Sequence, residues 1–459
     1  VKTVAVPFCF CAKKQYIIYE VTIRKMQDSC DRTAKTASVS QHERNLGVLT
    51  FHLIPFKLTV WICEFTSSYQ LCAFDKSINK KKRGKSKMKK LVAILLTLLV
   101  AFSMFACKTA GTDAAANAGD KKVYNVVSLV NGNLGDKSFF DSAESGLKAL
   151  QDAGRITYKT IEMGGTDADQ PKWLETLYEV AESGEYDLII VGTYQMPTYL
   201  KEVATAYPDQ KFLIYDDTSF VGENANVVNV SYKQNDMGYL IGVFAAAMTS
   251  ETSVKNINAD KVVGFVGGVD SPVINDFLYG FLEGVKATDA DVKVDTRYVN
   301  SYVDTATAKE MGLSMINDNK ADILWGVAGL SGNGAAEAAL ESGKAWFIGV
   351  DSDQEATLQA ELAAVTLTSG LKNVGNSIIW IFDEWDAGRT YWGKLVNLGL
   401  TEGGVGIVTD KNFAAVAPKA VQDKVLAAEA AIKDGTIVVP TAIGDDTNAV
   451  IALRDSMQP

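Results

Sequence analysis

Residues 122–459 are predicted to fold as α/β, in two doubly wound Rossmann-like lobes that are each a parallel sheet covered by helices. Three observations carry this expectation. Short β-rich runs alternate with longer stretches of helical period along the whole segment. Runs such as Leu188-Ile189-Ile190-Val191 are apolar at every position, which suits strands buried on both faces. The alternation comes in two successive series of roughly 110–130 residues, each about the size of one domain.

The chain ahead of this body has a different character. Residues 1–90 hold 18 basic and 6 acidic groups, residues 91–459 hold 27 and 49, and the full 459 residues carry a formal charge of −10. An acidic body lacks the basic face that nucleic acid requires, so no nucleic-acid partner is expected. Both histidines (His42, His52) and five cysteines (Cys9, Cys11, Cys30, Cys63, Cys72) lie in the first stretch, and beyond Cys107 neither residue occurs. Disulfides, thiol nucleophiles, histidine bases and the usual zinc sites are therefore absent from the body, and no metal or cofactor is expected.

Residues 1–87 show no sustained period and end near the run Lys80-Lys81-Lys82-Arg83-Gly84-Lys85. They read as untranslated sequence upstream of a start at Met88, the alternative being a disordered basic segment. Met88-Lys89-Lys90 and the uncharged stretch 91–106 have the layout of a secretory signal over 88–106. At 16 residues that stretch is short of the ~20 a spanning helix needs. Its end, Ser103-Met104-Phe105-Ala106-Cys107, resembles the lipobox of bacterial lipoproteins, which makes Cys107 the expected lipidated residue. Residues 107–122, rich in Ala, Gly, Thr and Asp, read as a flexible tether. Two or more acyl chains would hold the body at the cell membrane, facing the periplasm or the cell exterior.

In the body, strands are expected at Tyr124–Val130, 156–163, 187–192, 211–216 and Val227–Tyr232, with helices at 139–153, 173–183 and 198–207 between them. The second series continues with strands at Val262–Gly267, 292–299, 322–327 and 346–350. In such sheets ligands bind beyond the carboxyl ends of the strands. That rule gathers Asp136, Asp216-Asp217, the segment 325–334 and Asp351, and facing strand ends of two lobes make a cleft.

Several residues there can carry chemistry. Gly329-Leu330-Ser331-Gly332-Asn333-Gly334 fits neither G-x-G-x-x-G nor a Walker loop, so its glycines are read as allowing close backbone approach to a ligand or a tight turn into a helix at 335–342. The pairs Asp216-Asp217 and Asp351/Asp353 suggest an acid/base dyad or a Mg²⁺ site, but neighbours at a strand end face opposite ways, and a helix cap is the ordinary role of such a carboxylate. Phe139, Phe140, Phe277 and Trp325 are candidates to stack on a planar ligand. Phe277, in Phe277-Leu278-x-x-Phe281-Leu282, reads better as core, whereas Trp325, one step before a glycine, reads as cleft. Lys372, placed at a helix start, opposes the helix dipole and implies an anionic or acceptor partner. No G-x-S-x-G motif marks a nucleophile.

Five stretches in order carry a resemblance: Gly135-Asp136-Lys137-Ser138-Phe139; Gly264-Phe265-Val266-Gly267-Gly268 with Phe277-x-x-Gly280-Phe281; Gly329 to Gly334 followed by Glu337-Ala338-Ala339; Ile348-Gly349-Val350-Asp351-Ser352-Asp353-Gln354; and Leu367-Thr368-Ser369 with Lys372. Together they resemble the basic membrane protein (BMP) family of lipoprotein receptors, which includes purine-nucleoside-binding proteins of ABC importers. The resemblance implies a type I periplasmic-binding-protein fold whose lobes are joined by three crossovers, placed near 230–232, 365–368 and 389–398. Lobe 1 is then 123–231 plus 366–390, and lobe 2 is 232–365 plus 391–459. By the same resemblance Asp136 contacts base or ribose, Asp216 lines the hinge side, Gly329 and Gly332 offer backbone, Asp351 accepts ribose hydroxyls, and Lys372 completes the polar shell. The chain departs from the family pattern at Phe140, where Asn is usual, at Glu144, where an aromatic is frequent, and at Gly329-Leu330-Ser331-Gly332, where the family has Gly-Gly-Thr-Gly. Phe140 is the expected replacement stacker.

The expected protein is a lipid-anchored, monomeric receptor that delivers a nucleoside, purine favoured, to ABC permease subunits and catalyses no reaction. The rival expectations are an extracytoplasmic carboxylate-dependent hydrolase on the same fold and a ligand sensor domain.

Overall fold

The computed structural model describes residues 49–53, 56–60 and 122–459, apart from 221–223 and 445–446. It comprises two compact units, Val1–Ala116 and Asn117–Pro459. In the first, strands β1 (Leu49–Leu53) and β2 (Phe56–Val60) pair antiparallel, with Leu49 opposite Val60; no element was expected there. The expected signal segment, Cys107 and the tether up to residue 121 lie outside the described residues.

The second unit opens with β3 (Tyr124–Val130), α1 (Phe139–Asp152), β4 (Ile156–Glu162), α2 (Gln170–Ser183), β5 (Leu188–Gly192), α3 (Pro197–Ala206), β6 (Phe212–Tyr215) and β7 (Val227–Tyr232). A second series follows: α4 (Gln234–Met248), β8 (Val262–Gly267), α5 (Pro272–Thr288), β9 (Lys293–Tyr298), α6 (Thr305–Asn317), β10 (Ile323–Val327), α7 (Gly332–Ser342) and β11 (Trp346–Asp351). The short helices α8 (Gln354–Thr357) and α9 (Ala360–Ala363) lead to β12 (Thr366–Lys372) and α10 (Val374–Asp386). The chain ends with β13 (Leu395–Leu398), β14 (Val405–Ile407), α11 (Lys411–Val416), α12 (Lys419–Lys433) and α13 (Asn448–Met457).

The first sheet runs β13-β7-β6-β5-β3-β4 with every pair parallel. The second runs β14-β12-β11-β10-β8-β9 and is parallel except where β14 meets β12. Burial follows position in the sheet. Central β5, all apolar apart from its final glycine, is buried at every residue, while edge strand β4 alternates and exposes polar side chains. Local chemistry sets the helix ends. Ser271 accepts from the Ile274 N–H ahead of Pro272 at the start of α5, and Asp304 accepts from the Thr307 N–H at the start of α6.

Two strands fall in the sheet opposite to the one expected. β12, assigned to lobe 1, pairs with β11 in the second sheet; the chain leaves for the first lobe only after Lys372, where α10 packs on α1. β13, assigned to lobe 2, pairs with β7 in the first sheet, from Leu395 opposite Asn229 to Leu398 opposite Tyr232. The cause is geometric, since a strand must run the depth of its sheet before the chain can cross.

A buried helix pair anchors the second lobe. α4, which is apolar around most of its circumference, is buried at almost every position and packs on α5. Glycines on both helices permit the approach. A Cβ at Gly242 would lie 2.2 Å from the Phe281 carbonyl oxygen, and one at Gly284 would lie 2.2 Å from that of Tyr239. Gly242→Val is expected to destabilise the chain by about 1–3 kcal/mol through overpacking, measured as a lower urea midpoint with an unchanged slope.

Candidate functional site

The carboxyl ends of the strands of both sheets face one cleft, with about 780 Å³ of open space counted out to its mouth. Asn131 follows β3, Thr193 follows β5, Asp216 follows β6, Ala328 follows β10, Asp351 ends β11 and Lys372 ends β12, and all of them line it. Thr193, Asp216 and Asp351 hold positive φ (73°, 66° and 65°), a conformation that costs a non-glycine residue free energy and is concentrated at binding sites.

Asp136, Phe139, Phe140, Asp216, Gly329, Asp351 and Lys372 therefore come together as expected. Two candidates do not. Trp325 is fully buried in the second lobe among Phe265, Phe277 and Phe281, at ring separations of 5.1–6.1 Å, and its Nε1 donates to the Gly349 carbonyl at 3.1 Å. Side chains alternate along a strand, and this register turns the indole under the sheet. Phe277, expected to be core, lines the cleft as well as touching that cluster. Gly332 opens α7 and packs on β10, where a Cβ would sit 3.1 Å from the Gly326 carbonyl oxygen.

The acidic pairs divide as strand geometry requires. Asp216 pairs with Lys372 at 2.6 Å, while Asp217 accepts from Asn229 Nδ2 at 2.9 Å and Ser219 Oγ at 2.8 Å. Asp353 pairs with Lys411 on α11, away from Asp351. The partner that Lys372 implied is thus supplied by the chain itself, and Lys372 stands at the end of a strand rather than in the helix that follows. Its ammonium also lies 4.6 Å from the Phe277 ring and 5.5 Å from those of Phe139 and Tyr232.

Asp136 is spent on its own backbone. Its carboxylate accepts from the N–H groups of Ser138, Phe140 and Asp141 at 3.0, 2.9 and 3.1 Å, capping α1. Burial nevertheless raises its pKa, against the lowering effect of those bonds. Asp351 is different. Its Oδ2 accepts from Ser138 Oγ at 2.9 Å, whereas Oδ1 is buried with no hydrogen-bond partner among the described residues. Burial pushes this carboxyl up to about 7, although Lys372 and Ser138 favour the charged form.

The residues that sequence reasoning missed are the other polar groups at the strand ends. Asn131 donates through Nδ2 to Thr193 Oγ1 and Gln195 Oε1 (2.8 and 3.2 Å), leaving Oδ1 buried and without a partner among the described residues. Tyr194 of the first lobe and Tyr302 of the second meet hydroxyl to hydroxyl at 3.0 Å. The strand-end rule would have found Asn131 and Thr193, which directly follow apolar strands; Tyr302 lies four residues past β9 and carries no such signal. The departure at Phe140 falls in the cleft, its ring lying against Gly132, where a Cβ would be 2.4 Å away. Glu144 does not face the cleft, because its carboxylate accepts from Tyr158 Oη and Thr160 Oγ1, both at 2.7 Å.

Comparison with known proteins follows the same outline. Residues 123–442 match the Bmp family model, described as ABC transporter substrate-binding protein PnrA-like. Basic membrane protein A of Borreliella burgdorferi is 30% identical over 319 residues, covering 69% of this chain and 86% of that protein. A protein of Lactococcus lactis named ABC transporter nucleoside-binding protein BmpA is 28% identical over 372 residues, covering 77% and 99%. A solved solute-binding protein of an ABC transporter system from Aeropyrum pernix superposes with a TM-score of 0.59 at 25% identity, covering 73% of this chain and 97% of that one.

The carboxyls of Asp351, Asp322 and Asp276 are raised, to about 7, 7 and 6, chiefly by burial. Raised carboxyls keep protons in the folded state that the unfolded chain has lost, so the ligand-free chain is expected to lose stability as pH rises from about 4 to 7. Asp351→Asn removes one contribution, and urea denaturation at pH 8 is expected to find it about 1–3 kcal/mol more stable than the parent, with a smaller gap at pH 5.

Proposed function

The chain belongs to the Bmp family of PnrA-like ABC transporter substrate-binding proteins, and from that premise we propose that its cleft takes up a nucleoside, purine favoured, and presents it to the permease subunits of an ABC importer. Members of the family are substrate-binding proteins and not enzymes. In this reading the protein's work is selection and domain closure, with no bond made or broken.

The observation that carries the reading is the free Oδ1 of Asp351 inside a cleft walled by Phe139, Phe140 and Phe277. An ionised carboxylate oxygen accepts hydrogen bonds only, and the vicinal hydroxyls of a ribose supply donors. The aromatic rings supply apolar faces for a planar base, and Phe140 widens that surface. Asn131 Oδ1 offers a second acceptor for a ligand N–H or O–H. Gly329, at φ 54°, brings backbone to the cleft wall. Lys372, held by Asp216, closes the polar floor, and Asp136 acts by holding the first turn of α1, which carries Phe139 and Phe140. A ligand lacking the hydroxyls leaves Asp351 unpaired in a dry site, which is the source of selectivity. The named nucleoside binding of the Lactococcus relative supports the same ligand class.

We further place the body outside the cytoplasm, tethered to the membrane through an acylated Cys107 and acting as a monomer. Among the described residues no helix is long and apolar enough to cross a membrane, and a relative from Pyrococcus furiosus, 30% identical over 323 residues, is named a lipoprotein.

Calorimetry on the chain, refolded to strip co-purifying ligand and titrated with adenosine, guanosine, inosine, uridine and ribose, is expected to give one-to-one purine nucleoside binding, weakened about 100-fold by Asp351→Ala. Absence of heat with every nucleoside, or release of free base during titration, opposes the reading. In cells fed labelled palmitate, the chain is expected to take up label and Cys107→Ala to lose it.

A further inference from the structure

Ser138 sits at the N-cap position of α1, yet its side chain makes no hydrogen bond to that helix. The N–H groups it would serve are taken by Asp136 instead. Relieved of capping, the buried Ser138 hydroxyl meets the second lobe, 2.9 Å from Asp351 Oδ2 and 3.2 Å from the Val350 carbonyl oxygen, both at the end of β11. Three contacts return from the second lobe to the same loop: Ser352 Oγ donates to the Ser138 carbonyl (2.8 Å), Thr357 Oγ1 to that of Lys137 (3.0 Å) and Asn333 Nδ2 to that of Asp136 (3.3 Å). Those three end on neutral backbone carbonyls, which do not change with the charge or contents of the cleft. Among the contacts of this loop with the end of β11 and the elements beside it, the Ser138 hydroxyl is the one that ends on a side chain lining the ligand space.

We infer that Ser138 is the positioning residue that couples closure of the cleft to ligand recognition: its hydroxyl holds Asp351 Oδ2 only when the lobes meet, which leaves Oδ1 as a fixed acceptor for the ligand. This rests on reading the cleft as the ligand site. The coupling is electrostatic as well as geometric. The groups acting on Asp351 are Lys372 at the end of β12 and Ser138, which favour its ionised form, and Asp216 after β6 and Asp136 before α1, which disfavour it along with burial. Without the Ser138 donor the balance moves toward the neutral acid, and the acceptor that a hydroxyl-bearing ligand needs is populated only at higher pH.

The test uses the full chain with Ser138→Ala and Ser138→Thr. Because Asp136 does the capping, both variants are expected to fold, and Thr retains the hydroxyl. Small-angle scattering without ligand is expected to show a larger radius of gyration for Ala and the parent value for Thr. Adenosine titrated from pH 6 to 9 is expected to bind Ser138→Ala about tenfold to a hundredfold more weakly at pH 7, with the pH midpoint of binding moved upward, and Ser138→Thr nearly as tightly as the parent. Parent-like scattering from Ser138→Ala, or a loss of affinity equal at every pH, would overturn the inference. Should adenosine not bind the parent, the nucleoside reading fails, and the scattering of the ligand-free variants still decides whether Ser138 latches the lobes.

Discussion

The ion pair between Lys372 and Asp216 joins the ends of the two sheets at the floor of the cleft. Lys372 is the last residue of β12 in the second sheet and Asp216 is the first residue after β6 in the first. Both are buried, so neither charge can be hydrated without opening the molecule. A buried pair of this kind contributes little net stability over apolar packing, but leaving one member alone costs several kcal/mol. Its effect is to fix where the strand ends lie relative to each other. The rings of Phe139, Phe277 and Tyr232 close around the ammonium, and Asp351 feels its charge.

Given that floor, the walls are built from groups that would be unfavourable elsewhere. Thr193 is β-branched and holds positive φ, where its side chain crowds the backbone. Asp351 carries a carboxylate in a site dry enough to raise its pKa, and one of its oxygens has no partner among the described residues. Strain and unsatisfied acceptors cost free energy in the ligand-free chain, and a ligand that satisfies them recovers part of it. Stability and recognition therefore oppose each other at Asp351.

The chain's departures from its relatives' pattern have unequal weight. The Glu144 carboxylate binds Tyr158 and Thr160 of the neighbouring edge strand, so the residue ties helix to sheet without reaching the cleft. Phe140 lies at the cleft wall beside Phe139, at a ring separation of 5.2 Å with a tilt of 74°. An edge-to-face pair presents one aromatic face and one edge to its surroundings, a wall suited to a flat apolar ligand surface.

Unbroken apolar runs and helical periods are local features, and they were enough for the class of fold and most of the element order, while five short stretches in order carried the resemblance to the family. Asp136, Asp216, Gly329 and Asp351 were expected at the cleft because strand ends can be read from where apolar runs stop, whereas Lys372 was expected at a helix start. What each of them does follows from long-range packing. Asp136 caps a helix, Lys372 finds Asp216 at a separation of 156 residues, and Ser138 reaches Asp351 over 213. The same holds for Trp325, expected in the cleft and found in the core, and for Phe277, which is core as expected but lines the cleft as well. Which face of a strand or helix meets the ligand depends on register against its neighbours, and β12 and β13 changed sheets for the same reason. Pairing between distant segments is set by the packing of the whole chain, and no local pattern of residues encodes it.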